Sequence, residues 1–140
     1  LVLDTATMVA AIRSDAGASH RLLIAGLERR PTLLASVPLM VEYQSVLTRS
    51  EHLEASGLSA ADIDVLLDAV AAVAEPVRLA FLWRPALRDP DDDMVLETAV
   101  NGGADSIVTF NRRDFEGPSK TFGIQVLSPG EALRRLEARQ

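Results

Sequence analysis

The chain has 140 residues, of which 48% are hydrophobic, enough for one domain that buries around two thirds of its unfolded surface and too few for a second. No apolar run approaches the ~20 residues of a membrane helix, the opening Leu1-Val2-Leu3 lacks the features of a secretory signal, and cysteine is absent, so a cytoplasmic protein is expected. The net charge of -6 opposes nucleic-acid binding unless acids converge on divalent cations and reverse the local potential.

Leu1-Val2-Leu3 reads as a buried strand ending at Asp4. After Gly17-Ala18-Ser19 a helix carries Leu22, Leu23, Gly26 and Leu27 on one face, and Pro31 stops it. Thr32 to Ala35 reads as a second strand. Ser36 caps a helix with Pro38 in its first turn, an apolar stripe of Leu39, Tyr43, Val46 and Leu47, and Glu42 inside it. Ser59 and Asp62 resemble a capping box before a helix with Ile63, Leu66, Leu67, Val70 and Val73 at helical spacing, barred from continuing by Pro76.

Val77 to Leu79 is expected as a short strand, followed by a loop over Trp83 to Pro90 and a helix beginning near Asp92. Asn101-Gly102-Gly103 supplies a left-handed stop for that helix. Ser106 to Thr109 and Ile124 to Leu127 are further strands, and Ser128-Pro129-Gly130-Glu131 combines an N-cap, proline at N1 and glutamate at N3 before a last helix. Alternating strands and helices predict an α/β domain with a mainly parallel central sheet flanked by helices, spanning 1–140.

Open parallel sheets bind ligands beyond the carboxyl ends of their strands. Asp4, Glu42, Asp92 and Asn111 with Asp114 each follow a successive strand in this reading and could meet at that edge. Clustered carboxylates repel unless cations neutralise them, and an all-oxygen set suits magnesium or manganese better than zinc. Plainer explanations exist: an Asx turn at Asp4, helix capping by Asp89, Asp91, Asp92 and Asp93, and a turn at Asp114. Signatures of other enzymes are absent, including G-x-S-x-G, a P-loop, G-x-G-x-x-G and paired metal-spaced histidines. His20 and His52 lie in unrelated contexts, which argues against a metal-free ribonuclease using paired imidazoles. Trp83 could stack a base, though packing is its commoner role. Arg29-Arg30, Arg112-Arg113 with Lys120, and Arg134-Arg135 read as solvated surface, and only in combination as a phosphate-attracting field.

In order and setting these residues resemble the PIN-domain family, particularly its toxins of toxin-antitoxin systems. The likeness rests on Val2-Leu3-Asp4-Thr5, on Leu39-Met40-Val41-Glu42-Tyr43 with Val46-Leu47-Thr48-Arg49, on Arg88 to Leu96 continuing through Ala104-Asp105 into Val108-Thr109, on Asn111-Arg112-Arg113-Asp114-Phe115, and on Val126-Leu127-Ser128-Pro129. It implies a Mg2+- or Mn2+-dependent endoribonuclease whose metal and catalytic residues are Asp4, Glu42, Asp92 and Asp114, with Thr5, Thr109 and Asn111 as supporting polar groups. Asp105 is a weaker candidate for that set, because it precedes its strand and does not sit at the carboxyl end. The implied partners are an RNA substrate, a cognate antitoxin protein and a second copy in a homodimer, with no membrane.

Two positions depart from the family pattern. Ala6 stands where members usually carry Asn or Ser, and the neutral Asn111 stands where many have aspartate. They motivate an alternative, a catalytically weakened PIN domain that binds RNA or a protein without cutting. Ala6 also argues against an aspartyl phosphatase with Asp4 as nucleophile, which commonly needs a second aspartate two positions later.

Overall fold

Residues 1–80 and 90–139 are described in the computed structural model of the protein; the expected loop over Trp83, Asp89 and the Asp91 side chain lie outside what is described. The strands are β1 (Val2–Leu3), β2 (Leu34–Ala35), β3 (Glu75–Pro76), β4 (Ser106–Val108) and β5 (Gln125–Leu127). Every strand pair is parallel, with β1-β4-β5 forming one sheet and β2-β3 another. Backbone bonds from Leu34 N to the Leu1 carbonyl, 2.8 Å, and from the Leu1 amino group to the Thr32 carbonyl, 2.8 Å, join the two. The mixed α/β architecture with parallel strands agrees with the sequence.

The helices are α1 (Thr5–Arg13), α2 (Ala18–Leu27), α3 (Val37–Leu47), α4 (Ser50–Ser56), α5 (Ala60–Val73), α6 (Pro90–Gly102), α7 (Arg112–Thr121) and α8 (Pro129–Ala138). The predicted caps form: Ser36 accepts from Leu39 N, and Ser59 with Asp62 and Ser128 with Glu131 make reciprocal capping boxes. Gly103, at φ 63°, turns the chain left-handed after α6, a conformation that a side chain would strain. None of the described helices is long and apolar enough to cross a membrane.

Three helices were not foreseen. α1 begins directly after Asp4, whose carboxylate caps it, so the helix carries its N-cap inside the strand motif. α4 is short and buries no residue fully, so its apolar periodicity is weak. α7 contains Pro118 and Gly117, poor helix interior residues, yet buries Phe115 and Ser119. The expected strand over Val77–Leu79 is corrected to Glu75–Pro76. Glu75 N donates to Leu33 O and Val77 N to Ala35 O, both at 2.8 Å, so the proline, which has no N–H, occupies the intervening position where the ladder requires none.

The core lies between the sheet and its helices, with Val2, Leu3, Leu22, Leu39, Leu47, Ile63, Leu96, Ile107, Val108 and Phe115 almost wholly removed from solvent. On one side α1, α2 and α8 pack together; α3 packs against α1, α5 and α6. The parallel register brings the carboxyl ends of β1 and β4 side by side, with Leu3 opposite Val108.

Candidate metal-binding cavity

Asp4 follows β1 and is 3% exposed. Its backbone N–H extends the strand ladder to Val108 O at 3.0 Å. One carboxylate oxygen accepts from Thr7 N at 2.8 Å, capping α1, and the other accepts from the Thr109 hydroxyl at 2.5 Å. The Thr109 hydroxyl in turn accepts from Asn111 N at 3.0 Å. This chain of bonds joins the ends of β1 and β4 and the start of α7. Burial pushes the Asp4 carboxyl above its ordinary range, and the hydrogen bonds from Thr109 and Thr7 oppose that shift.

Tyr43 follows Glu42 on α3 and is buried. Its hydroxyl donates to the Leu3 carbonyl, one residue before Asp4. Burial and then the nearby Asp4 charge push its pKa well above the ordinary phenol value, so the phenol stays protonated and remains a donor. Thus the backbone at Asp4 and the backbone at Glu42 are braced across the core.

A cavity of about 370 Å³ opens at this edge, lined by Asp4, Glu42, Asp92 and Asp114 together with Thr5, Ala6, Val9, Val46, Arg49, His52 and Asn111. All four expected carboxylates therefore face one space. Thr109 stands behind Asp4, and Asn111 is exposed at the rim. Asp114 is exposed in the first turn of α7, whose N-cap Asn111 makes no side-chain capping bond. Asp105, as expected, is apart: it lines another cavity, of about 420 Å³, with Leu1, Glu75 and Arg135. A larger apolar cavity, about 740 Å³, lies between α3 and α5. Neither gathers acids at strand ends, so size does not identify the site.

The four carboxylates offer only oxygen, which fits magnesium or manganese, with His52 as the one imidazole among the lining residues. The Thr5 hydroxyl lines the same cavity, buried and without a hydrogen-bond partner, so a buried polar atom waits there unmet. Among the described residues, however, no three histidine, aspartate or glutamate side chains stand close enough together to hold an ion. Like-charged carboxylates repel, and a shared space without mutual contact is the arrangement that repulsion favours.

α6 also buries two acids that do not line the cavity: Asp93 is 1% exposed, and Glu97 is fully buried. Asp92 is only half-buried but lines the cavity, while Asp93 does not. Val95, Leu96 and Ala99 form a buried apolar stripe on the same helix, which buries the adjoining polar face too.

Arg49 and His52 also line the acidic cavity, although the sequence reading placed Arg49 only within a motif and set His52 apart from any catalytic pair. A sequence signal for Arg49 exists: Glu42, Val46 and Arg49 are spaced four and three apart, a continued helical face. His52 carries no such signal, because the change of direction between α3 and α4 brings it in. His20, by contrast, lies within 2.9 Å of the Ala11 carbonyl, away from the acids. The basic surface pairs are exposed, with Arg30 paired to Glu28 at 3.2 Å and Arg112 to Glu131 at 3.1 Å.

Residues 1–113 match the family model described as the PIN domain. The matched stretch ends one residue before Asp114. No curated protein matches the chain.

Proposed function

The chain belongs to the PIN-domain family, whose members are generally nucleases, and from that premise we propose that it is a Mg2+- or Mn2+-dependent endoribonuclease, the toxin half of a toxin-antitoxin pair. The observation that carries the nuclease reading is the convergence of Asp4, Glu42, Asp92 and Asp114 on one cavity at the carboxyl end of the parallel sheet. RNA and the toxin role rest on the sequence likeness to that branch of the family. A cytoplasmic location, an antitoxin partner and a homodimer belong to the same proposal, as does a single domain over 1–140.

In this reading the four carboxylates hold the cation, and Asn111 and Thr5 add neutral oxygens at its margin. When bound, a divalent cation supplies stabilisation for negative charge developing on a phosphodiester and increases the acidity of a coordinated water. The chain's own contribution is orientation. Thr109 and Thr7 N fix both oxygens of Asp4, so the carboxylate cannot rotate away from the cavity. The Tyr43 hydroxyl fixes the strand end against α3, holding Glu42 opposite.

The test is cleavage of single-stranded and structured RNA by purified protein with manganese, magnesium or EDTA. Metal-dependent cleavage is expected; cleavage that survives EDTA would overturn the mechanism. A second reading, a PIN domain that binds RNA or protein without cutting, is favoured by Ala6 and by the absence of a three-donor cluster among the described residues. RNA binding without cleavage under any metal would establish it.

A further inference from the structure

The acidic cavity has a wall that the four carboxylates leave unused. Glu42, Val46, Arg49 and His52 form a continuous row from α3 into α4, all lining the space. Arg49 is exposed and makes no ion pair with any described residue. His52 has a side chain only 12% exposed, and its Nδ1 is buried without a hydrogen-bond partner. Its other ring nitrogen lies 3.8 Å from Glu51, too far for a hydrogen bond.

A buried imidazole nitrogen with no partner is uncommon enough to require a cause. Arg49, exposed to solvent, faces the same cavity without an ion pair to any of its carboxylates. Neither side chain is hydrogen-bonded by the described residues, and a guanidinium and an imidazole N–H can both donate to an oxyanion. A cation held by the acids would leave Arg49 unanswered, because a guanidinium has no lone pair to ligate it and repels it as a like charge. The ligand that answers both walls is one with negative oxygens spread along a chain.

We propose that Arg49 and His52 hold a backbone phosphate of the RNA adjacent to the one under attack. Arg49 lies seven positions after Glu42 and beyond the end of α3 at Leu47, a span on the order of 10 Å, so it reaches a neighbouring phosphate more readily than the reacting one. The pair acts as a positioning element: it anchors the strand so that the next phosphodiester lies against the carboxylates. It also supplies a local positive contact that the overall charge of -6 withholds. The proposal rests on the ribonuclease reading for the identity of the chain being held.

The experiment compares the wild-type protein with Arg49→Ala, Arg49→Lys and His52→Ala. Steady-state cleavage of an oligoribonucleotide with manganese is measured, and its binding is followed by fluorescence anisotropy with calcium at several salt concentrations. Arg49→Ala is expected to raise KM and Kd about tenfold, as loss of a charge-assisted contact to phosphate would, with kcat within about twofold. The salt slope should shrink by ~0.7, the value for one phosphate contact on a single strand. Arg49→Lys should recover part of the affinity, and His52→Ala should raise KM several-fold. Manganese-induced stabilisation should be the same in all four proteins, separating phosphate binding from ion binding.

Cleavage with unchanged KM and unchanged salt slope in Arg49→Ala and His52→Ala would overturn the proposal and leave the ribonuclease reading standing. If the wild type binds RNA but does not cut it, a weakened Arg49→Ala supports the phosphate contact while the enzymatic reading fails. A wild type that neither binds nor cuts RNA refutes both.

Discussion

Replacing Asp4 separates the two tasks of one carboxylate. In Asp4→Ala, α1 loses its N-cap, a contribution of about 1 kcal/mol, and the buried Thr109 hydroxyl loses its acceptor, about 1–3 kcal/mol for the bonds at 2.8 and 2.5 Å. Removing a desolvated charge offsets part of this, so the net loss should be roughly 2 kcal/mol, or a Tm lower by about 8 °C for a chain of this size. Asp4→Asn retains an oxygen for Thr7 N, and its amide can donate to Thr109, so its stability should remain within about 1 kcal/mol of wild type. Both substitutions should abolish metal-dependent cleavage.

A pH series provides an internal check. The folded-state pKa of Asp4 lies above the unfolded value near 3.8, so the folded protein binds that proton more tightly. Its contribution is fully present below the unfolded value and is lost as pH rises through the raised folded value. Metal-free Asp4→Asn should therefore lack this component of the wild-type pH dependence. Thermal denaturation in EDTA, followed by circular dichroism from pH 4 to 8, measures all three proteins. Equal Tm values for wild type and Asp4→Ala, or an Asp4→Asn protein as unstable as Asp4→Ala, would refute the capping argument.

Manganese at a hundred times its Kd should stabilise the wild type by about 2.7 kcal/mol, roughly 10 °C in Tm, by binding only the folded acidic cavity; an unchanged midpoint in a metal titration would remove the ion-binding site. Asp92→Asn should lose cleavage and manganese affinity with less than about 1 kcal/mol of stability, whereas Asp93→Asn, at a buried and partnered position, should cost about 1–3 kcal/mol and retain the metal response; RNA cleavage and melting of both variants decide the ranking. Tyr43→Phe should cost about 1–2 kcal/mol by removing the bond to the Leu3 carbonyl, and should also weaken manganese binding because Glu42 is the adjoining residue. A Tyr43→Phe protein with wild-type Tm and metal affinity would show that the bond does not brace the site.

Four of the five strands and the helices capped by serine were legible because their signals are local, whereas β3 was misplaced onto Val77–Leu79 because its proline sits inside the ladder. Ser36, Ser59 and Ser128 act at short range, and all three cap as the sequence implied. α1 was missed because its cap is Asp4, which was read for its chemistry and not for its helix-starting geometry. α7 was missed because Gly117 and Pro118 lower local propensity, while burial of Phe115 outweighs it. At the site, the acids were legible from their order after successive strands. Arg49 continues the helical spacing of Glu42 and Val46, whereas His52 is brought in only by the turn between α3 and α4, a tertiary relation with no counterpart in local spacing. The burial of Asp93 and Glu97 likewise depends on what packs against α6, which helical periodicity within one element does not contain.

The strut from Tyr43 to Leu3 has a consequence for how the cavity can respond to an ion. Asp4 and Glu42 each adjoin one end of it, so their separation is set within the core and resists change. Asp114 has no such anchor: it is exposed on the first turn of a helix whose leading residue makes no side-chain cap. Phe115, the next residue, is fully buried and holds α7 in place, so only the Asp114 side chain, not the helix, would be free to adjust. A cation of different radius would then be met by rotation of that one carboxylate, with the spacing of β1 and α3 unchanged.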